Sequence, residues 1–331
     1  MLSGFPGSNG QACRPSSTPR WVIERLVHSP QYDLQYSRHS ASSLSKIEKT
    51  MKLDYRHLFT MCALWLVTAI ACASLQAGGA AYKAGRFEQA FKSFMSVARK
   101  GDPVAQYLVA SMYEEGRGTS RSVTLAIQWY ALAAAQDDIE SQVALAQLYL
   151  SEEPTNGTNK KAIELLEKAA GRGHPQAANR LGAAYLNGTH VTKDPGKAAR
   201  WFQQGADQGN LDAVFNLGRL YALGEGVQRS TDSAKRCYQS AAYAGHAPAQ
   251  AQLGTALAEG RLGAKDLARS YAWLTLAAEQ QMQIATSNLE LVKKQLTAKQ
   301  LASAAQELER IRAKLVTESS AKTENKRFAC A

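Results

Sequence analysis

Few residues of this 331-residue chain are spaced to do chemistry. Two Ser-x-x-Lys tetrads, Ser43 to Lys46 and Ser319 to Lys322, have the spacing at which a lysine can activate a serine nucleophile in penicillin-interacting enzymes. Both stand in polar stretches towards the chain ends without a companion motif, so no catalytic residue is assigned. His174 and His246 are 72 residues apart and occupy equivalent places in a repeat rather than a cluster, so neither a metal nor any other cofactor is expected. Gly116-Arg117-Gly118 and Gly224-Glu225-Gly226 follow helical patterns and lack a Lys-Ser/Thr pair, which makes them turns rather than phosphate cradles. Asn156-Gly157-Thr158 and Asn187-Gly188-Thr189 fit glycosylation acceptors, of consequence only in a eukaryotic host.

The five cysteines, Cys13, Cys62, Cys72, Cys237 and Cys330, form no pair at metal or redox spacing. Two of them fall in MKLDYRHLFTMCALWLVTAIACASLQA, which starts at Met51 with the basic Lys52 and Arg56, runs apolar from Leu58 to Ala71 and ends in small residues. This is the layout of a signal peptide over 51–73, with Ala71 and Ala73 meeting the cleavage rule. Ala69-Ile70-Ala71-Cys72 is similar to a bacterial lipobox and makes Cys72 a candidate lipidation site. A signal anchor is the third alternative, since the apolar run approaches the ~17 residues that can cross a bilayer. Residues 1–50 are rich in Ser, Arg and Pro and show no periodicity, so they are expected to be a non-native or disordered extension before a start at Met51. Maturation would leave Cys237 and Cys330. Cys237 reads first as a small residue on a helix face, with pairing to Cys330 in an oxidising compartment as the alternative.

The residues that position everything else are the apolar ones. Hydrophobic residues make up 45% of the chain and lean on Ala and Leu, while only 9 are Pro, a composition that favours helix throughout. The formal charge of +11 favours acidic partners or anionic surfaces, but no basic run interleaved with aromatics points to nucleic acid. Self-similarity then decides the architecture. Tyr113, Tyr149, Tyr185 and Tyr221 recur every 36 residues, with Leu257 in the fifth place. Trp129, Leu165, Trp201, Cys237 and Trp273 form a second column, and Ala134, Ala170, Ala206, Ala242 and Ala278 a third.

Each unit reads as two helices. In the first, Val109, Leu145, Leu181, Leu217 and Leu253 lie four residues before the Tyr column on one apolar stripe, each followed by Ala or Gly that lets a neighbour approach. Gly116, Gly188, Gly224 and Gly260 fall where that helix should end. The second helix runs through the Trp column, and Gly173, Gly209 and Gly245 terminate it. The stretch from Ala177 to Gly209 carries Leu181, Gly182, Tyr185, Gly188, Val191, Asp194, Lys197, Ala198, Trp201, Phe202, Ala206 and Gly209, and in these residues it resembles the Sel-one-like repeat, a branch of the tetratricopeptide-repeat superfamily. The resemblance covers about residues 80 to 290.

The resemblance implies an all-α, right-handed α-α superhelical solenoid of helix-turn-helix repeats with the 36-residue period seen here. The expected domains are a tetratricopeptide-like opening repeat at 74–103, five Sel-one-like repeats at 104–284, C-terminal capping helices at 285–317 and a disordered tail at 318–331. Thr297 and Gln300 are placed to form a capping box for a helix with the apolar stripe Leu301, Ala304, Leu308, Ile311 and Leu315. The resemblance also implies binding of a partner protein, with no small-molecule substrate, by an exported, periplasmic or envelope-associated scaffold, with a membrane tether through its N-terminus as the alternative to a free one. A cysteine-rich branch of the family is linked with penicillin hydrolysis, but its paired cysteines within each repeat are missing here. Stacked repeats leave a concave surface. First-helix positions outside the core columns vary in chemistry, and Gln147, Arg180, Asn216, Arg219 and Gln252 are the candidate partner-binding residues, as hydrogen-bonding and carboxylate-pairing groups.

Overall fold

The computed structural model describes residues 73–151 and 156–320, all of whose regular elements are helices. The N-terminal extension, the leader up to Cys72, the Ser43 to Lys46 tetrad, Lys322 and Cys330 lie outside the described residues. The chain divides into two compact units, one ending at Arg121 and one beginning at Ser122.

The first unit contains α1 (73–83), α2 (Phe87–Ala98) and α3 (Pro103–Glu115). Its core is small residues closed around one ring: Phe94 is 1% exposed, and a Cβ added at Gly78 would stand 2.5 Å from Phe94 Cε1. Ala81, Ala90, Val97, Ala98, Ala105, Val109, Ala110 and Met112 are buried with it, and Phe91 meets Tyr113 edge-on at 5.2 Å.

The second unit contains α4 (Val123–Ala134), α5 (Ile139–Ser151), α6 (Asn156–Gly171), α7 (Pro175–Asn187), α8 (Pro195–Asp207), α9 (Leu211–Leu223), α10 (Thr231–Tyr243), α11 (Ala247–Glu259), α12 (Leu267–Glu279), α13 (Gln283–Lys293) and α14 (Ala298–Ser320). From α4 to α13 neighbours in sequence pack on one another, and α14 folds back onto α12. First helices of successive repeats also touch, α7 with α9 and α11 with α13. An all-α solenoid follows from the period.

Why the helices begin where they do is visible in two further columns at the same period. Asp102, Asp138, His174, Asn210 and His246 each accept the backbone N–H three residues on with a side-chain atom, at 2.8 to 3.2 Å, and so cap the first helices. Ser122, Asp194, Ser230 and Asp266 do the same for second helices. At the other end Gly116, Gly188, Gly224 and Gly260 take φ of 70°, 72°, 75° and 74°, a left-handed cap that a Cβ would strain. Buried Gln142 and Gln250 reach back to Ala134 O and Ala242 O, a second donor for carbonyls at the ends of α4 and α10 that also accept the Asp137 and Gly245 N–H groups.

The C-terminal cap departs from expectation in two places. The capping box forms, with Gln300 N–H donating to Thr297 Oγ1 at 3.3 Å and Thr297 N–H donating to Gln300 Oε1 at 2.9 Å. Ala304, Leu308 and Ile311 are buried and Leu315 packs beside them, but Leu301 is 37% exposed: the first turn of α14 overhangs the helices it covers. The helix also continues through residues 318–320, which the sequence assigned to the tail.

Candidate functional site

The five candidate residues lie on four successive first helices, and the structure gathers four of them in two groups. On α7 and α5, Arg180 Nη2 donates to Gln147 Oε1 at 2.8 Å. Arg180 is half-buried, and burial lowers the pKa of its guanidinium. Its Nε is buried without a hydrogen-bond partner, and among the described residues no carboxylate stands within ion-pairing distance of it. A cation is thus held partly out of water with a neutral amide oxygen for company. Gln147 at its tip is exposed, so an anion has a way in.

The second group centres on Tyr238 of α10. The side chain of Gln252 and the guanidinium groups of Arg219 and Arg261 lie close enough to the Tyr238 hydroxyl to favour its ionised form. Burial outweighs all three and pushes the phenol up to about 12, so it stays protonated and able to donate at neutral pH. Arg261 is held in an ion pair with Glu259, whereas Arg219 is exposed and has no carboxylate partner among the described residues. Asn216 lies between the two groups and donates from Nδ2 to Asn179 Oδ1 at 3.1 Å.

The first-helix face is therefore a ladder of amide and guanidinium groups linked from one repeat to the next. It continues to α13, where Asn288 Nδ2 meets Thr255 Oγ1 at 2.9 Å. Sequence reasoning missed Asn179, Tyr238, Arg261 and Asn288. The signal for Asn179 was present, since its column runs Tyr107, Val143, Asn179, Phe215 and Ala251, as varied as those chosen. Tyr238 sits in a core column, and only its hydroxyl reaches the face.

His174 and His246 do not converge on anything. Each caps its own helix through Nδ1 and bridges through Nε2 to an acid one repeat back, Glu140 at 3.2 Å and Asp212 at 2.9 Å. No group of three or more metal-ligating side chains occurs among the described residues. The side chains of the Ser319 to Lys322 tetrad lie outside the described residues, as does Cys72. Cys237 is fully buried in the core and is disulfide-bonded, and the expected alternative partner, Cys330, lies outside the described residues.

A stack of two-helix repeats whose polar residues form a continuous face defines the class: an all-α repeat solenoid. The chain belongs to the Sel1 repeat family, whose model matches residues 103–138, 139–174, 175–210, 211–246 and 247–282. Members of this family are commonly non-enzymatic scaffolds for protein interactions. The crystal structure of a Sel1 repeat protein from Oxalobacter formigenes is similar, at 26% identity over 65% of this chain and 86% of that one, with a TM-score of 0.59. A protective antigen of uropathogenic Escherichia coli strains, displaying an SLR fold, shares 25% identity over 76% of this chain and 63% of that one, with a TM-score of 0.46. No curated protein matches.

Proposed function

We propose that this chain is an adaptor of the bacterial cell envelope that holds an acidic segment of a partner protein against its first-helix face, between α5 and α11. One observation carries the reading: Arg180 is half-buried, its Nε has no partner, and no described carboxylate neutralises it. A buried charge without a counter-ion is costly, and a carboxylate arriving from outside would complete it with charge-assisted hydrogen bonds. Arg219, on the next first helix, offers a second cation, and Gln147, Asn216 and Gln252 supply neutral hydrogen-bonding groups between and around them. The formal charge of +11 favours the same class of partner and speeds its encounter. Export is supported by the leader at 51–73 and by the disulfide at Cys237, since structural disulfides persist in oxidising compartments.

The test is a pull-down from cell-envelope extract with the wild-type protein and an Arg180→Ala, Arg219→Ala variant of unchanged helical circular dichroism. The variant is expected to lose its partners, and the wild type to release them as salt is raised from 50 to 500 mM (~3-fold shorter Debye length). A variant that retains every partner overturns the reading.

A further inference from the structure

The loops that join first to second helices carry a column of cations that the first-helix face does not use. Arg121, Lys193, Arg229 and Lys265 each stand one residue before the cap of a second helix, at intervals set by the period, with Gly157 in that place in the second repeat. In the second compact unit Lys193, Arg229 and Lys265 share one setting. The cap residue after each, Asp194, Ser230 or Asp266, donates its backbone N–H to the carbonyl of Tyr185, Tyr221 or Leu257 at 2.8 to 3.0 Å, which pins the loop to the helix it left. The three cationic side chains are exposed.

First helices run towards this edge and second helices leave it, so equivalent loops lie side by side. Gly226 of the fourth repeat approaches the start of α8 so closely that an added Cβ would stand 2.1 Å from Pro195 O. Lys265 Nζ donates to Gln295 Oε1 at 2.9 Å, which joins the fifth loop to the end of α13, where Lys294 is exposed as well. Successive cations are about one interhelical spacing, ~10 Å, apart, close to the ~8 Å Debye length at physiological salt, so they act on a shared counter-charge.

Charge is sorted between the two edges of the unit. Among the described residues none of Lys193, Arg229, Lys265 and Lys294 is ion-paired, whereas most acids of their edge are taken: Asp194 by Lys197, Glu259 by Arg261, Asp266 by Arg269 and Glu290 by Lys293. Glu225 and Asp232, both in the fourth repeat, are the exceptions and weaken the row at Arg229. On the opposite edge, at the turns between repeats, the balance is reversed. There Glu140 and Asp212 are bonded to the capping histidines and Asp207 to the Gln203 amide, while Lys168 and Arg312 are held by Asp137 and Glu279.

We propose that the loop edge bearing Lys193, Arg229, Lys265 and Lys294 docks the protein on an anionic lipid bilayer. Three of the four are lysines, compact point charges rather than the planar forks that fix a carboxylate, and mobile headgroups can gather beneath them. Nucleic acid finds no stacking platform: Tyr185, which lines a pocket with Lys193, is half-buried, with Lys197 Nζ 5.2 Å from its ring centroid. The first-helix face runs along the helices and this edge lies at their ends, so a docked molecule leaves that face open to a protein partner.

The experiment mixes the full chain with vesicles of phosphatidylcholine containing about one-third phosphatidylglycerol, or of phosphatidylcholine alone, and maps lysine acetylation by mass spectrometry. On the anionic vesicles Lys193, Lys265 and Lys294 are expected to react several-fold more slowly, while exposed Lys168 on the opposite edge keeps its rate. Neutral vesicles should protect none of them. In a second measurement, the preference for anionic over neutral vesicles should fall ~100-fold in a full chain carrying Lys193→Gln, Arg229→Gln, Lys265→Gln and Lys294→Gln, since each cation at an anionic surface contributes ~5-fold. Circular dichroism checks that the variant is folded, and the rest of the chain is common to both proteins and cancels. Absent protection, equal protection of Lys168 or an unchanged preference overturns the proposal. Protection by polyglutamate but not by anionic vesicles assigns the edge to an acidic protein and also overturns it.

Discussion

Nε2 of His246 stands 2.9 Å from Oδ1 of Asp212 on the preceding first helix, while its Nδ1 accepts the Ala249 N–H at 3.2 Å. Accepting at Nδ1 requires that nitrogen to be unprotonated, so the neutral ring carries its proton on Nε2 and donates it to Asp212. One imidazole thus caps a helix and links two repeats. The two roles separate by substitution. His246→Asn keeps a cap and loses the bridge, which to the exposed Asp212 contributes at most a few tenths of a kcal/mol. His246→Ala loses both and should cost about 1 kcal/mol more than His246→Asn in urea unfolding. Equal losses would show that the cap contributes nothing.

The equivalent pair at His174 predicts a pH effect. The His174 hydrogen bond holds the Glu140 carboxyl below the usual carboxylate range, against the opposing effect of burial. A carboxyl with a depressed folded-state pKa stabilises fully above its unfolded value, and that contribution is lost as pH falls through the folded value. Wild type should therefore exceed Glu140→Gln in unfolding free energy at pH 6, and the gap should close as pH falls from about 5 to about 3. A gap that widens on acidification contradicts the assignment.

Arg180 predicts a conflict between stability and binding. Its burial lowers the guanidinium pKa and no carboxylate offsets the cost, so an apolar side chain of similar length should suit the site in the free protein at least as well. Arg180→Met should melt with the wild type or up to ~3 °C above it, by differential scanning calorimetry, while retaining less partner. A drop of more than ~1 kcal/mol would mean the bond to Gln147 outweighs the desolvation and would remove the case for a missing anion.

How much of this was legible follows the repeat. Leu181, Tyr185 and Gly188 recur with their equivalents every 36 residues because each occupies a backbone environment that stacking reproduces, so periodicity alone located core, helix ends and first-helix face. The caps obeyed the same rule but were read only through their two histidines, because the column mixes Asp, His and Asn and shares an acceptor rather than a residue type. What joins the face was not legible. Arg180 meets Gln147, 33 residues back, and Asn216 meets Asn179, 37 back. Neither interval is the period, because side chains of different length cross between neighbouring columns by rotamers that no column records. The exposure of Leu301 depends on where α14 lands, which a stripe on one helix does not fix.

The small residue facing each second helix carries the sharpest packing prediction. A Cβ on Gly182 would lie 2.5 Å from Phe202 Cδ1, closer than real side chains come, so Gly182→Ala must push the ring. Alanine's better helix propensity returns about 1 kcal/mol and overpacking costs about 1–3, so the net change is destabilising. Gly171, at the exposed end of α6 with nothing within 4 Å, should respond the other way, Gly171→Ala stabilising by about 0.4–1 kcal/mol. The second repeat shows how the clash is relieved, since it carries Ala146 and Leu166 at the two positions, both buried in one cluster. Copying that pair into the third repeat, Gly182→Ala with Phe202→Leu, should be less destabilising than the sum of the two single changes by about 1 kcal/mol or more in a double-mutant cycle. Additive losses would mean that the ring, not the missing methyl, sets the spacing of α7 and α8. In that case Gly182 would be replaceable wherever Phe202 can turn aside.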